Sequence, residues 1–154
     1  MVFADFQCPY CARAQDLMKS TLADYPRDVK IMYRHLPLET IHPHARTAAM
    51  AAECAGAQGR FPAYHDLLYS HQDSIGTISW TDLAVRAGVA SSREFEECLA
   101  QERFAGEVER DVLLAKELNV TSTPTFIIGD EAYTGVPPAA WIKRQIARTE
   151  RLGG

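Results

Sequence analysis

The chain has 154 residues, 47% of them hydrophobic and 23% charged, with a formal charge of -4. That is enough for one core and too little for two comfortable domains. Lys and Arg are scattered along an acidic chain, so it lacks the basic footprint that phosphate-backbone binding requires, and nucleic acid is excluded as a partner.

Met1 leads almost at once into the apolar VFADF, without the basic start and cleavage site of an export signal, so a signal or anchor is expected outside these residues. No apolar run approaches the roughly 20 residues of a membrane span. Val2 to Phe6 is short, apolar and partly aromatic and predicts a buried strand. From Pro9 the apolar residues Ala12, Leu17, Met18, Leu22 and Ala23 recur at helical spacing until Tyr25-Pro26 stops the run. Val29 to Leu36, VKIMYRHL, alternates as a second strand and is closed by Pro37, which makes the opening segment a parallel βαβ unit.

The middle of the chain reads as helix throughout. Pro43 to Gln58, Phe61 to Ser70, Trp80 to Ala87, Ser92 to Ala100 and Arg103 to Leu118 each carry apolar residues three or four apart, with Gly, Pro, Ser or Asn at the joins. Trp80, His65 and His71 fit core or helix-surface filling in this block. After Val120 the character changes: TPTFIIG and AYTG predict two strands around the turn GDE, and PPAAWIKRQIARTERL predicts a last amphipathic helix entered through Pro137 and Pro138. Trp141 fits the buried face of that helix, and Lys143, Arg144, Arg148 and Arg151 its solvated face. The expected fold is therefore α/β: residues 1–40 and 119–154 form one β-α-β and β-β-α core, and 41–118 an all-helical insertion between the second and third strands, in one continuous unit.

The chemistry concentrates at FADFQCPYCARAQ. Cys8 stands at the first turn of a helix, where unpaired backbone N–H groups and the positive end of the helix dipole favour thiolate over thiol; cysteines so placed ionise at roughly 3.5 to 7.5. Pro9 suits a helix start because it has no N–H to lose. Cys11 lies one turn further on the same face, within reach of Cys8 and less exposed. This spacing closes a reversible disulfide ring. A zinc site would need two further ligands, for which only His42 and His44 around Pro43 offer themselves, and these read better as caps of a helix start; a purely structural disulfide is the other alternative. Asp5, three residues before Cys8, is a candidate acceptor for the Cys11 proton, against a solvent-facing edge position. Cys54 and Cys98 look core-facing on two helices of the insertion, where buried cysteines are common without any bond.

DFQCPYCARAQ after a strand, followed by VTSTPTFIIGDEAYTGVP beyond the helical block, resembles the thioredoxin superfamily, and specifically its DsbA-like branch. RHLPL, HPHARTAAMAAECAGAQGRFPAYHDLLY and FEECL each resemble stretches of that branch, so the likeness spans nearly the whole chain. Glutaredoxins share CPYC but are shorter and lack the insertion. The resemblance implies a thiol:disulfide oxidoreductase without metal or organic cofactor, its redox centre a Cys8-Cys11 disulfide, with Cys8 attacking and Cys11 resolving. It implies a cis-proline at Thr123-Pro124 beside the CxxC, the Thr123 backbone pairing with an extended substrate, and Pro9 and Tyr10 tuning and contacting the site. Tyr10 stands where oxidases of the branch often have histidine. It also implies a structural disulfide between Cys54 and Cys98, stabilising by roughly 4 kcal/mol in the chain-entropy model, and hence an oxidising compartment: periplasmic, secreted or an envelope-anchored extracytoplasmic domain. The expected partners are cysteine-bearing substrate proteins and a membrane redox protein that regenerates the pair. No dimerisation segment is present, so a monomer and an oxidase are expected, with reductase or isomerase, or a CxxC binding or zinc module, as alternatives.

Overall fold

In the computed structural model, which describes residues 1–153, the chain runs β1 (Val2–Ala4), α1 (Pro9–Asp24), β2 (Tyr33–His35), then the helices α2 (Ala45–Gly56), α3 (Phe61–Ser70), α4 (Trp80–Ala87), α5 (Ser92–Ala100) and α6 (Ala105–Glu117), and closes with β3 (Thr125–Ile128), β4 (Glu131–Thr134) and α7 (Ala139–Gly153). Gly154, the last residue of the expected core, lies outside the described residues. The four strands form one sheet in the order β2-β1-β3-β4. β1 is parallel to β2 and antiparallel to β3, and β3 is antiparallel to β4. The β-α-β, helical block and β-β-α order read from the sequence is thus the order observed.

The second strand is shorter than its alternation predicts. β1 offers only Val2 to Ala4 as partners, paired with Tyr33 to His35, so Val29 to Ile31 have no strand to lie against and contribute apolar surface instead. The outer edge of β2 is closed by a side chain. Asp111 on α6 accepts from the His35 backbone N–H at 2.9 Å and from the Arg34 guanidinium at 3.0 Å, which satisfies an edge that would otherwise offer itself for further pairing.

Phe3 and Phe6 are fully buried from the first strand and its extension, and Tyr64, Leu68, Leu83 and Phe95 from the insertion; each side chain of this kind contributes roughly 1.5 to 3 kcal/mol by leaving water. α2 is almost wholly buried, and its inward residues are mostly alanine, so neighbouring backbones approach closely. That approach brings Cys54 of α2 and Cys98 of α5 to a Cα separation of 5.9 Å, and they form a disulfide. The ring closes across 44 residues, so replacing both cysteines by alanine should lower the unfolding free energy by about 4 kcal/mol. Urea unfolding checks this, with thiol exchange at Cys8 retained.

Candidate active site

The amino end of α1 places the first cysteine. Cys8 is the N-cap residue, with extended φ -77° and ψ 119°, and Pro9 occupies the first helical position. The Cys8 N–H donates to the Asp5 carbonyl at 3.1 Å, and the Cys8 carbonyl accepts the first helical bond from Ala12 at 3.2 Å. The side chain is thereby turned back over the helix end, where its sulfur accepts the Cys11 N–H at 3.4 Å. An N-cap normally uses an oxygen for this purpose; here the acceptor is a sulfur.

The second wall comes from the loop between α6 and β3. Thr123-Pro124 is a cis peptide, and in the dithiol state the Cys8 thiol donates to the Thr123 carbonyl at 3.4 Å. The loop is fixed by the Thr125 hydroxyl on the Ser122 carbonyl at 2.8 Å and by the Gly135 N–H on the Pro124 carbonyl at 2.8 Å. Cys8, Cys11, Thr123 and Pro124, which are distant in sequence, share one site. Cys11 is 0% exposed and Cys8 4%. The order of exposure is the one expected, but the Cys8 sulfur is more covered than a helix-end position alone suggests, because the Thr123 carbonyl sits against it.

The two thiols are driven apart electrically. Cys8 is lowered from the ordinary value of 9.0 to about 6, first by a hydrogen bond from the Cys11 thiol, against its own burial, and further by the Thr123 side chain and the N–H groups of Cys11 and Tyr10. Cys11 is pushed far upward, first by burial and then by donating to and facing the charge on Cys8. The Thr123 hydroxyl, which lowers both thiols, is buried and has no hydrogen-bond partner among the described residues. One sulfur carries the charge, and the other carries the proton that stabilises it.

Asp5 is 2% exposed, so the solvent-facing edge position is not what the fold provides. Its carboxylate accepts the Gln7 N–H at 2.7 Å, the Leu38 N–H at 2.8 Å and a His42 ring bond at 2.8 Å. These use three of about four acceptor positions, and none of the bonds is to Cys11. This bonding pattern ties the turn before Cys8 to the loop after β2. His42 is thereby held against Asp5, and His44, the N-cap of α2, makes no side-chain capping bond, so the expected capping by these histidines is not what the structure contains. Among the described residues no group of three His, Cys, Asp or Glu side chains converges as a metal would need. Tyr10 is 57% exposed, with the Arg13 guanidinium 5.2 Å from its ring centre.

Other contacts have no counterpart in the sequence reading. Gln15 Nε2 donates to the Cys11 carbonyl at 3.0 Å. Gln72 Nε2 donates to the carbonyls of Phe6 at 2.7 Å and Cys8 at 3.0 Å. Behind the site the Tyr69 hydroxyl donates to the Asp5 carbonyl at 3.4 Å and meets the Tyr33 hydroxyl at 2.6 Å. An uncharged amide 64 residues from Cys8 leaves no mark in spacing or periodicity.

A family model described as Thioredoxin matches residues 1–148. Among curated relatives, the Na(+)/H(+) antiporter NhaA 3 of Salinispora tropica is 41% identical over 133 residues, 86% of this chain and 20% of the antiporter; the chain spans about a fifth to a quarter of the length of the curated relatives it matches. Among solved structures, BdbD of Bacillus subtilis superposes with a TM-score of 0.82 at 24% identity, over 96% of this chain and 85% of that one. A thioredoxin-like oxidoreductase of Silicibacter pomeroyi gives 0.81 at 22% identity, over 97% and 84%. These likenesses show the same α/β fold with its helical insertion.

Proposed function

The chain belongs to the thioredoxin family, and from that premise we propose that it is a thiol:disulfide oxidoreductase acting through Cys8 and Cys11, in the oxidising direction. The observation that carries the reading is the Cys8 sulfur seated as the N-cap of α1, accepting a backbone N–H and ionising at about 6, beside Thr123 and Pro124. A reactive cysteine needs this combination of thiolate character and a nearby second thiol.

In the oxidising direction a substrate thiolate attacks Cys8 in the Cys8-Cys11 disulfide. The Cys8-substrate bond forms, the bond to Cys11 breaks, and the Cys11 sulfur leaves as a thiolate that takes a proton. A second substrate thiolate then attacks the substrate sulfur of the mixed disulfide and expels Cys8. The substrate has lost two electrons and gained a disulfide, and the CxxC pair has gained them. Cys8 is the better leaving group because its thiolate is stabilised where it lands. The same stabilisation favours the reduced pair, so the disulfide is oxidising, which places reductase second. The Thr123 backbone and the ring of Tyr10 are assigned to the passing substrate chain, and Pro9 to shaping the turn. Asp5 is proposed to accept the Cys11 proton in the return step, when the reduced pair is reoxidised and the Cys11 sulfur attacks Cys8 in its mixed disulfide with the partner.

The fold carries its redox centre in its own thiols, so no organic cofactor is assigned, but the reduced pair must pass its electrons on, and a membrane redox protein is the partner proposed. The Cys54-Cys98 disulfide supports an extracytoplasmic, oxidising location. A solved neighbour from Salmonella enterica is described as a periplasmic thioredoxin-like protein. The antiport in the name of the Salinispora relative is not carried over, since this chain matches only 20% of it.

Equilibration in glutathione buffers of graded poise, with free thiols counted by mass, tests the reading. An oxidase titrates two thiols at a midpoint well above the roughly -270 mV of thioredoxin. A midpoint near that value makes it a reductase, and a pair inert to glutathione removes the oxidoreductase reading altogether.

A further inference from the structure

The helical insertion reaches the redox centre through one side chain. α3 ends at Ser70, and a single 3-10 turn, Gln72–Ser74, follows it. The first residue of that turn sends its amide to the two carbonyls that flank Gln7 and Cys8, at 2.7 Å for Phe6 and 3.0 Å for Cys8. Among the described residues it is the one side chain that bonds the Cys8 carbonyl. We propose that Gln72 is a positioning residue for Cys8, fixing the turn that holds the nucleophilic sulfur over the amino end of α1.

The physical argument begins with the backbone. The Cys8 sulfur caps the helix only while Cys8 keeps its extended ψ of 119°, and that angle sets where the Cys8 carbonyl points. Gln72 clamps the carbonyl on one side of the angle and, through Phe6, the chain on the other. Both Nε2 hydrogens are used, so both donors are satisfied and directional. There is an electrostatic consequence as well. The Cys8 carbonyl already accepts the Ala12 N–H at 3.2 Å, and Gln72 adds a second donor at 3.0 Å, which draws further negative charge on that oxygen away from the neighbouring thiolate.

The turn that carries Gln72 is itself seated. Just beyond it Gly76, with φ +98°, takes a backbone conformation that favours glycine, and the His44 imidazole of the loop after β2 occupies the space where a Cβ would stand, 2.4 Å away. That loop in turn donates the His44 N–H to the Gln7 side chain at 2.7 Å. Gln7 lies between the two carbonyls that Gln72 holds, so the insertion grips the residues before the nucleophile from two directions.

The inference rests on the thiol:disulfide reading above. The test compares wild type with Gln72→Leu, which keeps the bulk and removes both donors, and Gln72→Glu, which sets a carboxylate against two carbonyls. Three readouts are taken: thiolate absorbance of the reduced pair against pH, alkylation rate of Cys8, and the equilibrium with glutathione. For Gln72→Leu the thiolate midpoint should rise, and the glutathione equilibrium should move about tenfold toward the disulfide, the size expected for two modest hydrogen bonds. Gln72→Glu should move both further in the same direction. If Gln72→Leu fails to fold, Gln72→Asn, which withdraws the amide by one methylene, is expected to show the same signs. A folded variant with lowered stability but wild-type titration and equilibrium overturns the inference and leaves the oxidoreductase reading intact. A wild-type Cys8 that titrates as an ordinary thiol overturns both, and is visible before any variant is made.

Discussion

Replacing Cys11 by alanine is expected to turn a catalyst into a trap. With Cys11 gone the chain has no CxxC disulfide to hand on, and Cys8 can only run the exchange in reverse, attacking a substrate disulfide, expelling one substrate sulfur and keeping the other in a mixed disulfide. Nothing within the chain then displaces it. In the wild type the Cys11 sulfur resolves that bond intramolecularly, and well-oriented groups of this kind behave as if present at roughly 10⁵ M or more. Turnover should therefore fall by at least about a hundredfold, while a substrate-sized mass adduct accumulates on Cys8. Mass spectrometry under non-reducing conditions reads it directly. Cys8→Ala should show neither turnover nor adduct. The asymmetry follows from the site: Cys8 retains the remaining 4% exposure and Cys11 has 0%. An adduct on Cys11 in the Cys8→Ala protein would reverse the assignment.

The second large effect is on stability against pH, and its sign follows from the two thiols. In the unfolded chain Cys8 ionises at its ordinary value of 9.0, and in the fold at about 6. Between those values the folded reduced protein holds a thiolate where the unfolded chain still binds a proton, so stability rises with pH. The gain is on the order of 4 kcal/mol. It is complete above pH 9.0 and lost as pH falls through 6. Cys11 works in the opposite sense: its burial keeps the proton that the unfolded chain releases, so the reduced protein should lose stability again in stronger alkali. The oxidised protein has no thiol to titrate at either position and should lack both limbs. Urea unfolding of the two forms across this range, with Cys54-Cys98 left bonded and verified by mass, checks the difference.

Much of this was legible in the residues. The helices Trp80–Ala87 and Ser92–Ala100 run over the spans that periodicity predicts because their ends are written locally: Ser79 and Ser91 cap them by accepting N–H groups three residues on, and Gly88 ends the first in the left-handed region. The position of Cys8 was legible for the same reason, since a helix start after a strand, with proline next to the cysteine, fixes where the sulfur lies. What periodicity misplaces is set by tertiary partners. The alternation from Val29 onward is genuine, but a strand needs a neighbour, and β1 stops at Ala4. The helices predicted from Pro43 and Arg103 begin at Ala45 and Ala105, after turns in which His42 and Glu102 lend their carbonyls to the N–H of the first helical residue.

The site divides along the same line. Charged and sulfur-bearing residues announce themselves by type, so Cys8, Cys11 and Asp5 could be singled out. The carboxylate of Asp5 is nonetheless occupied by Gln7, Leu38 and His42, partners that only the fold supplies. Gln72 and Gln15 act through neutral amides on backbone carbonyls, and any surface glutamine looks the same in sequence. The covering of Cys8 by the Thr123 carbonyl likewise depends on two segments that meet only in three dimensions.

The most direct test is a pH titration of thiolate absorbance on the reduced CxxC pair, with the Cys54-Cys98 bond intact so that no other sulfur contributes. A single thiolate per chain appearing with a midpoint near pH 6, and disappearing in Cys8→Ala, is the result expected if the end of α1 holds the charge. A chain that forms no thiolate until the ordinary thiol range, or whose first thiolate survives removal of Cys8, contradicts it.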